Sequence, residues 1–511
     1  MSAALQRGVD RRAFLRGLLG AATTAALAPL ALGRFAHAGD PAEFAAGLRE
    51  QPWLAGWQNV SADSLGPSTA TLRGRWPAEL RGTLYRNGPA LFERDGFRYE
   101  HWFDGDGMVH AWDIGDAGIG GVRVGHRAQM VQTPKFKRER KAGRFVVPAA
   151  GTEIPDPKSI RHNDDANPAN TSVMVMGDRV FALCEAGSAF EVHRDTLDTL
   201  GPTTWRDDLA TLPFSAHPLT DRDGSVWNFG AVGMMGGSGL LVWHLSPEGR
   251  VLDAKTIDCP ALGYLHSFTM TDTHLVFVLA PFALADSGAF FQRLKFQETQ
   301  ACRIAVVPKH DLTAARWFET DFAMAYHFAD AYQRSHEIAV RAVLHEDLAE
   351  ARSPMSRAMN GHAGDDSKGR LATLRLDLRS GRARWERERT SALEFPVFDP
   401  RTPSDRAATL YAPVVLGDAP MFNGVMSLDA RGRRRVHRYD DGVLAEEHVF
   451  IAKPGSSRVD DGWLLGVLFD PRRDLRGIAL LDAAHVEDGP IAEAWLDYGF
   501  PLGFHGTFAT R

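Results

Sequence analysis

From Pro77 to Arg511 the chain is built of short apolar runs separated by turn chemistry. Leu371-Ala-Thr-Leu-Arg-Leu-Asp377 is followed by Arg379-Ser380-Gly381 and then by Arg384-Trp385, the pattern of strand, tight turn and strand. The same cadence occurs at Leu240–Leu245 with Pro247-Glu248-Gly249, at Val425–Leu428 with Asp429 and Gly432, and at Gly477–Leu481 running toward Ala494-Trp495-Leu496. Glycine and aspartate at these breaks tolerate tight-turn geometry, so the runs predict hairpins and an all-β sandwich, barrel or propeller. There is no strand–helix alternation of the kind that builds a parallel sheet, and no low-complexity linker, so residues 77–511 are expected to form one large β domain. The repeats share a cadence without a fixed motif, which leaves the number of sheets unread. Amphipathic helical patterning is confined to Pro41–Gln51, within an N-terminal arm spanning 39–76, and to the stretch around Arg334 to Glu350.

The first 38 residues read as an address label. Arg11-Arg12 precedes an apolar stretch from Leu18 to Leu32, and Ala36-His37-Ala38 supplies a small-x-small cleavage signal before Gly39. The stretch is shorter than the roughly 18–20 residues that span a bilayer, and Pro29 and Arg34 interrupt its end. A cleaved twin-arginine signal peptide over 1–38 is therefore expected, with a periplasmic mature protein, soluble or peripherally membrane-associated. That export route carries folded proteins, which suits a chain that acquires its cofactor in the cytoplasm.

Composition narrows the class. With 58 Lys+Arg against 64 Asp+Glu the net charge is −6, which excludes a polybasic nucleic-acid binder. The 29 Phe and 12 Trp can fill a large core, while three cysteines, Cys184, Cys259 and Cys302, supply neither a disulfide framework nor a thiolate cage.

The candidate chemistry lies in the histidines. His193, His310, His336, His345, His362, His437 and His448 stand close to charges or in polar stretches and are expected to be solvated. Four others sit among apolar and aromatic residues: His217 in Pro213-Phe-Ser-Ala-His217-Pro, His266 in Gly263-Tyr-Leu-His266-Ser-Phe, His327 in Met324-Ala-Tyr-His327-Phe-Ala, and His505 in Gly503-Phe-His505-Gly-Thr-Phe. A buried imidazole must find partners for both ring nitrogens. One shared ion would satisfy all four at once. Nitrogen donors suit Fe(II), Cu, Ni and Zn, but zinc usually closes a tetrahedron, and local pairs such as Cys-x-x-Cys or His-Glu-x-x-His are absent. Spacings of 49, 61 and 178 residues put each imidazole on a different strand system, as on the axis of a closed architecture. Four histidines on an octahedral Fe(II) leave two positions for dioxygen or substrate, and nearby carboxylates are expected to orient the rings.

Around these positions the sequence resembles the carotenoid cleavage oxygenase family, which includes apocarotenoid oxygenases, stilbene-cleaving dioxygenases and the retinoid isomerase. The resemblance runs from about Pro77 to Arg511. It rests on Tyr85-Arg-Asn-Gly-Pro89, His101-Trp-Phe-Asp-Gly-Asp-Gly-Met-Val-His110, Ala216-His217-Pro218, Leu265-His266-Ser-Phe268, Glu394-Phe395-Pro396, Asp460-Asp461-Gly462 and Gly503-Phe504-His505-Gly506-Thr507. It implies a seven-bladed β-propeller capped by loops and short helices, with a non-haem Fe(II) on the axis held by His217, His266, His327 and His505. It further implies three glutamates that accept the free imidazole N–H groups, at Glu185, Glu394 and Glu447; Glu446 stands beside the last, and a one-residue shift would exchange them. Thr171 matches a threonine that in some members narrows one open metal position, or is a plain strand residue. The segment His101–Gly107 lacks the ligand spacing of a calcium loop and is expected to be a turn closing a hairpin.

The implied activity is cleavage of a carbon–carbon double bond by dioxygen to two carbonyl products. Two departures from the family pattern bear on this. Asp330-Ala-Tyr-Gln333 stands where Asn-Ala-Tyr-Glu is common, exchanging acid and amide. Cys184 stands where stilbene-cleaving members carry a lysine for the substrate's phenolic oxygen, which favours an apolar polyene, a carotenoid or apocarotenoid. A peripheral membrane contact is expected through Phe282, Leu284, Phe290 and Phe291, with Arg293 and Lys295 alongside. Stilbene cleavage, retinoid-type isomerisation and a propeller that binds without catalysing remain as alternatives.

Overall fold

The computed structural model describes residues 39–118, 121–231, 239–260, 263–345, 356–362 and 369–510; the signal-peptide reading over 1–38 lies outside them. Among the described residues the chain forms seven antiparallel sheets of four or more strands, arranged as a seven-bladed β-propeller. The strands predicted from apolar runs are present. Arg370–Asp377 pairs with Arg382–Arg387, Gly239–Leu245 with Val251–Asp258, Gly424–Leu428 with Arg434–Arg438, and Leu475–Asp482 with Pro490–Trp495.

The apolar runs are unbroken in mid-blade for a physical reason. A central strand has a neighbouring blade against each face, so all five residues of Gly424–Leu428 and all but the last of Gly462–Asp470 are buried. Outer strands such as Arg434–Arg438 meet water on one side and alternate. Between two blades, Val276, Ile304 and Val306 pack against Ile338, Val340 and Leu374. Burying each such side chain contributes roughly 1.5–3 kcal/mol.

The ring is closed twice. Gly506–Thr510 pairs with Gly82–Leu91, Arg86 opposite Gly506, and Thr71–Gly74 pairs with Pro490–Trp495, Thr71 opposite Trp495. The arm expected over 39–76 is therefore shorter than its sequence suggested. Pro41–Glu50 is helical, but Ser64–Thr69 already pairs with Val122–Met130 inside a blade.

The amphipathic stretch from Arg334 is also not helical. Met324–Arg334 and Glu337–His345 are paired strands joined through Ser335, whose φ is +52°. The run Ile338-Ala-Val-Arg-Ala-Val-Leu344 is buried on both faces, a setting in which helical periodicity arises by chance in a segment apolar but for the buried Arg341. The segment His101–Gly107 does end the connection between two paired strands, Gly82–Leu91 and Asp106–Asp116, with Leu91 opposite Asp106 and Trp102–Asp104 as one turn of 3-10 helix.

The seven innermost strands set up the site. Their first residues, or those just before them, include Thr171, His217, His266, His327, Glu394, Glu447 and His505, one from each blade.

Candidate metal centre

Hydrogen bonds between neighbouring blades fix these inner ends. Asn87 Nδ2 donates to the carbonyls of Ala169 and Ser172, and Ser172 Oγ donates to Ala216 O. Ser267 Oγ donates to Tyr326 O at 2.5 Å, and Gly506 N to Glu447 Oε2 at 2.8 Å. Backbone irregularity does the aiming. On Met324–Arg334 the register slips between Ala325 and Phe328, so His327 lies in a bulge, and on Leu444–Ala452 it slips between Ala445 and His448. The second bulge holds both Glu446 and Glu447, and an extra residue there lets two adjacent carboxylates point inward.

The four expected imidazoles converge. One potential ligand atom from each of His217, His266, His327 and His505 lies within 4.8 Å of the other three. Nε2 of His217 is 2.9 Å from Nε2 of His266, and Nε2 of His327 is 3.1 Å from Nε2 of His505. The opposite nitrogens face carboxylates. His266 Nδ1 donates to Glu185 Oε1 at 3.3 Å, His327 Nδ1 to Glu394 Oε2 at 2.7 Å, and His505 Nδ1 to Glu447 Oε1 at 2.8 Å. Glu447, not Glu446, is thus the partner of His505. Among the described residues no carboxylate is hydrogen-bonded to His217.

Further groups that the sequence did not single out surround this set. Arg86 donates from Nη1 to Glu447 Oε2 at 2.6 Å and from Nη2 to Glu446 Oε2 at 3.0 Å, and Arg476 Nη1 donates to Glu446 Oε1 at 3.1 Å. His345 Nε2 donates to the second oxygen of Glu394 at 2.5 Å. Phe395, with φ of +51°, sets its ring 5.1 Å from those of His327 and His505. Arg86 and Phe395 lie in motifs visible in the sequence, but their partners are hundreds of residues away or built by local backbone strain.

Burial, with the three other imidazoles beside it, holds His217 well below the usual histidine range. Burial also pushes His327 down to about 4, against the opposing pull of Glu394. Burial alone would raise the Glu394 carboxyl, but His327 and His345 outweigh it and hold it well below the carboxylate range. Glu447 is likewise held low despite burial, by His505 and Arg86.

The donor set fits a divalent metal ion. With Nδ1 donating to a carboxylate, Nε2 of His266, His327 and His505 presents a lone pair, and lone pairs facing each other at such distances repel unless a cation lies between them. Formal charge agrees: Glu185, Glu394, Glu446 and Glu447 against Arg86 and Arg476 leave −2, which a dipositive ion cancels.

A cavity of about 390 Å3 reaches His266, His327 and His505 and is walled by Trp102, Phe103, Phe290, Phe291 and Phe504. Glu185, Thr171 and Cys184 also line it. No lysine or arginine is among the described residues that do. Thr171 Oγ1 donates to Asn170 Oδ1 at 3.0 Å, and its carbonyl accepts from His505 N. Burial pushes the Cys184 thiol up to about 11. The Asp330/Gln333 exchange lies clear of the metal ligands, since Asp330 accepts from Arg341 and the Ala408 amide.

Three expectations need correction. Phe282 is buried against Tyr264 and Leu294 and cannot meet a lipid surface, whereas Leu284 is exposed. His345 and His448 are buried, not solvated. The charged neighbours of His448 turn inward with it, and its Nε2 accepts from Tyr439 Oη at 2.6 Å, its ring lying against the bare backbone of Gly466.

Residues 59–510 match the family described as retinal pigment epithelial membrane protein. The chain is 26% identical over 489 residues to apocarotenoid-15,15'-oxygenase of Synechocystis, covering 90% of this chain and 96% of that one. It is also 26% identical over 482 residues to lignostilbene-alpha,beta-dioxygenase isozyme III of Sphingomonas paucimobilis, covering 86% and 93%. The structure of cobalt-substituted Synechocystis apocarotenoid oxygenase superposes with a TM-score of 0.80 at 25% identity, covering 90% of this chain and 99% of that one. With its propeller, its inward-facing histidines and a family match over nearly its whole length, the chain belongs to the carotenoid cleavage oxygenase family, that of the retinal pigment epithelial membrane protein.

Proposed function

We propose that this protein is a non-haem Fe(II) dioxygenase that cleaves a carbon–carbon double bond of a carotenoid or apocarotenoid into two carbonyl products. The observation that carries the reading is the meeting of four imidazole nitrogens at one end of an apolar cavity, three of them backed by carboxylates. His217, His266, His327 and His505 would hold the metal, and Glu185, Glu394 and Glu447 would fix the ring tautomers and offset its charge. When bound, Fe(II) supplies the one-electron chemistry that lets triplet dioxygen react with a closed-shell alkene.

The chain's own part is placement and exclusion. Trp102, Phe103, Phe291 and Phe504 offer ring faces to an extended polyene and keep water away from the reacting carbons. Thr171, whose carbonyl accepts from His505 N and whose hydroxyl donates to Asn170 Oδ1, would narrow the space beside the metal. Cys184, neutral and weakly polar, offers a phenolic oxygen little, and the absence of a cationic group among the described lining residues favours a polyene over a hydroxystilbene. Phe290 and Phe291 line the cavity, and exposed Leu284 and Lys295 lie on the paired strands beside them, a surface suited to drawing the substrate from a lipid leaflet. We assign the mature protein to the periplasm on the strength of Arg11-Arg12 and Ala36-His37-Ala38.

The test is anaerobic iron reconstitution, then mass spectrometry of products from a panel of apocarotenoids and hydroxystilbenes with oxygen uptake recorded. Two aldehydes from an apocarotenoid, with stoichiometric oxygen uptake, are expected. Turnover of hydroxystilbenes alone would reassign the substrate class, and turnover without oxygen uptake would indicate isomerisation.

A further inference from the structure

We propose that His345 is a positioning residue of the metal centre, acting on His327 through the Glu394 carboxylate that the two share. This rests on the metal-binding reading above. Glu394 Oε1 accepts from His345 Nε2 at 2.5 Å, while Oε2 accepts from His327 Nδ1 at 2.7 Å and from the Phe395 amide at 3.0 Å. Three donors on two oxygens leave the carboxylate one orientation, although it borders a cavity in which it would otherwise turn.

His345 is itself held in place. It ends the strand Glu337–His345, opposite Met324, three residues from the ligand on the paired strand. Its ring meets Tyr326 edge-on at 5.1 Å, and Tyr326 meets the ligand His266 in the same manner at 5.4 Å. Gly369 leaves room for it, since a Cβ there would lie 3.1 Å from His345 Cε1 and 2.7 Å from the carbonyl of Leu393, the residue before Glu394. The other ring nitrogen, Nδ1, is buried and has no hydrogen-bond partner among the described residues.

The chemistry distinguishes this support from that of Glu447. Arg86 brings a full positive charge to Glu447 and draws its electron density away from His505. His345 meets Glu394 through a single ring N–H, which fixes the carboxylate's orientation without the two-pronged grip of a guanidinium.

Cobalt(II) is the probe. His345→Phe keeps the ring volume and its contact with Tyr326 but removes the donor, and His345→Gln restores an N–H at the Nε2 position. His345→Phe should weaken cobalt(II) binding by about 10–100-fold and shift the visible d–d absorption of the loaded protein. The melting temperature of the metal-free protein should barely move, and His345→Gln should recover both affinity and spectrum. Wild-type affinity and spectrum in His345→Phe would overturn the proposal, as would equal losses in Phe and Gln variants, which would assign the effect to volume. Should His345→Phe not fold, His345→Asn, whose amide stops short of Glu394, takes its place with the same expectations. A wild-type protein that takes up no cobalt would instead overturn the metal reading itself.

Discussion

Arg86 and Glu447 form a buried ion pair at 2.6 Å, with 4% and 9% of their side chains exposed, across 361 residues of sequence. The same guanidinium reaches Glu446 and the carbonyl of Phe504, so it ties the strand next to His505 to the blade that supplies its carboxylate. Removing one partner strands a buried charge, which costs about 3–5 kcal/mol. Arg86→Leu is expected to lower unfolding free energy by that amount in denaturant titration and to lower metal content in parallel. A variant as stable as the parent would show that the pair is dispensable.

Metal removal should be visible in stability alone. A ligand at a hundred times its Kd adds about 2.7 kcal/mol to the folded state. Dialysis against a strong chelator should therefore lower the melting temperature by several degrees, and iron(II) or cobalt(II) should restore it. His217→Ala, whose ring lacks a carboxylate partner among the described residues, should leave the metal-free melting temperature close to wild type and abolish its response to chelator.

Asp104 predicts a pH dependence of defined sign. Burial raises its carboxyl to about 6, only partly opposed by hydrogen bonds from Thr152 and the Gly151 and Ala150 amides. The folded chain thus keeps a proton that the unfolded chain releases from its ordinary 3.8. This group's contribution is present below pH about 4, falls as pH rises to about 6 and is flat above, a change on the order of 3 kcal/mol. Asp104→Asn should remove that slope, so the stability difference between variant and parent should grow with pH only inside the window. A constant difference from pH 4 to 7 in urea titrations would refute this.

Leu284 is 40% exposed and pairs with Leu294, which directly follows the helix Phe290–Arg293 whose two phenylalanines line the cavity. Leu284→Asp should reduce co-sedimentation with phospholipid vesicles and raise KM for a vesicle-borne apocarotenoid, while a detergent-dispersed substrate is turned over as before. Unchanged sedimentation would remove this surface from the account.

The strands and the four imidazoles were legible because each leaves a local trace: an apolar run with a turn after it, or a histidine among aromatic residues. Thr71–Gly74 was not, because its partner Pro490–Trp495 lies more than four hundred residues away and four residues carry no periodicity. His345 and His448 were misread for a related reason. Their polar neighbours Arg341, Glu446 and Glu447 are also buried and satisfied inside the ring, so polarity in the sequence did not mean solvent. The choice between Glu446 and Glu447 turned on a bulge, a feature of pairing with another strand that no single segment encodes.

His505 immediately precedes Gly506–Thr510, the strand that closes a blade begun by Gly82–Leu91. The last imidazole therefore sits at the seam of the ring, where two strands more than four hundred residues apart meet. A polypeptide cut before His505 would keep three of the four imidazoles and most of its sheets, yet have no complete cage. Cofactor binding and closure of the ring are thus one requirement, met at the same seam.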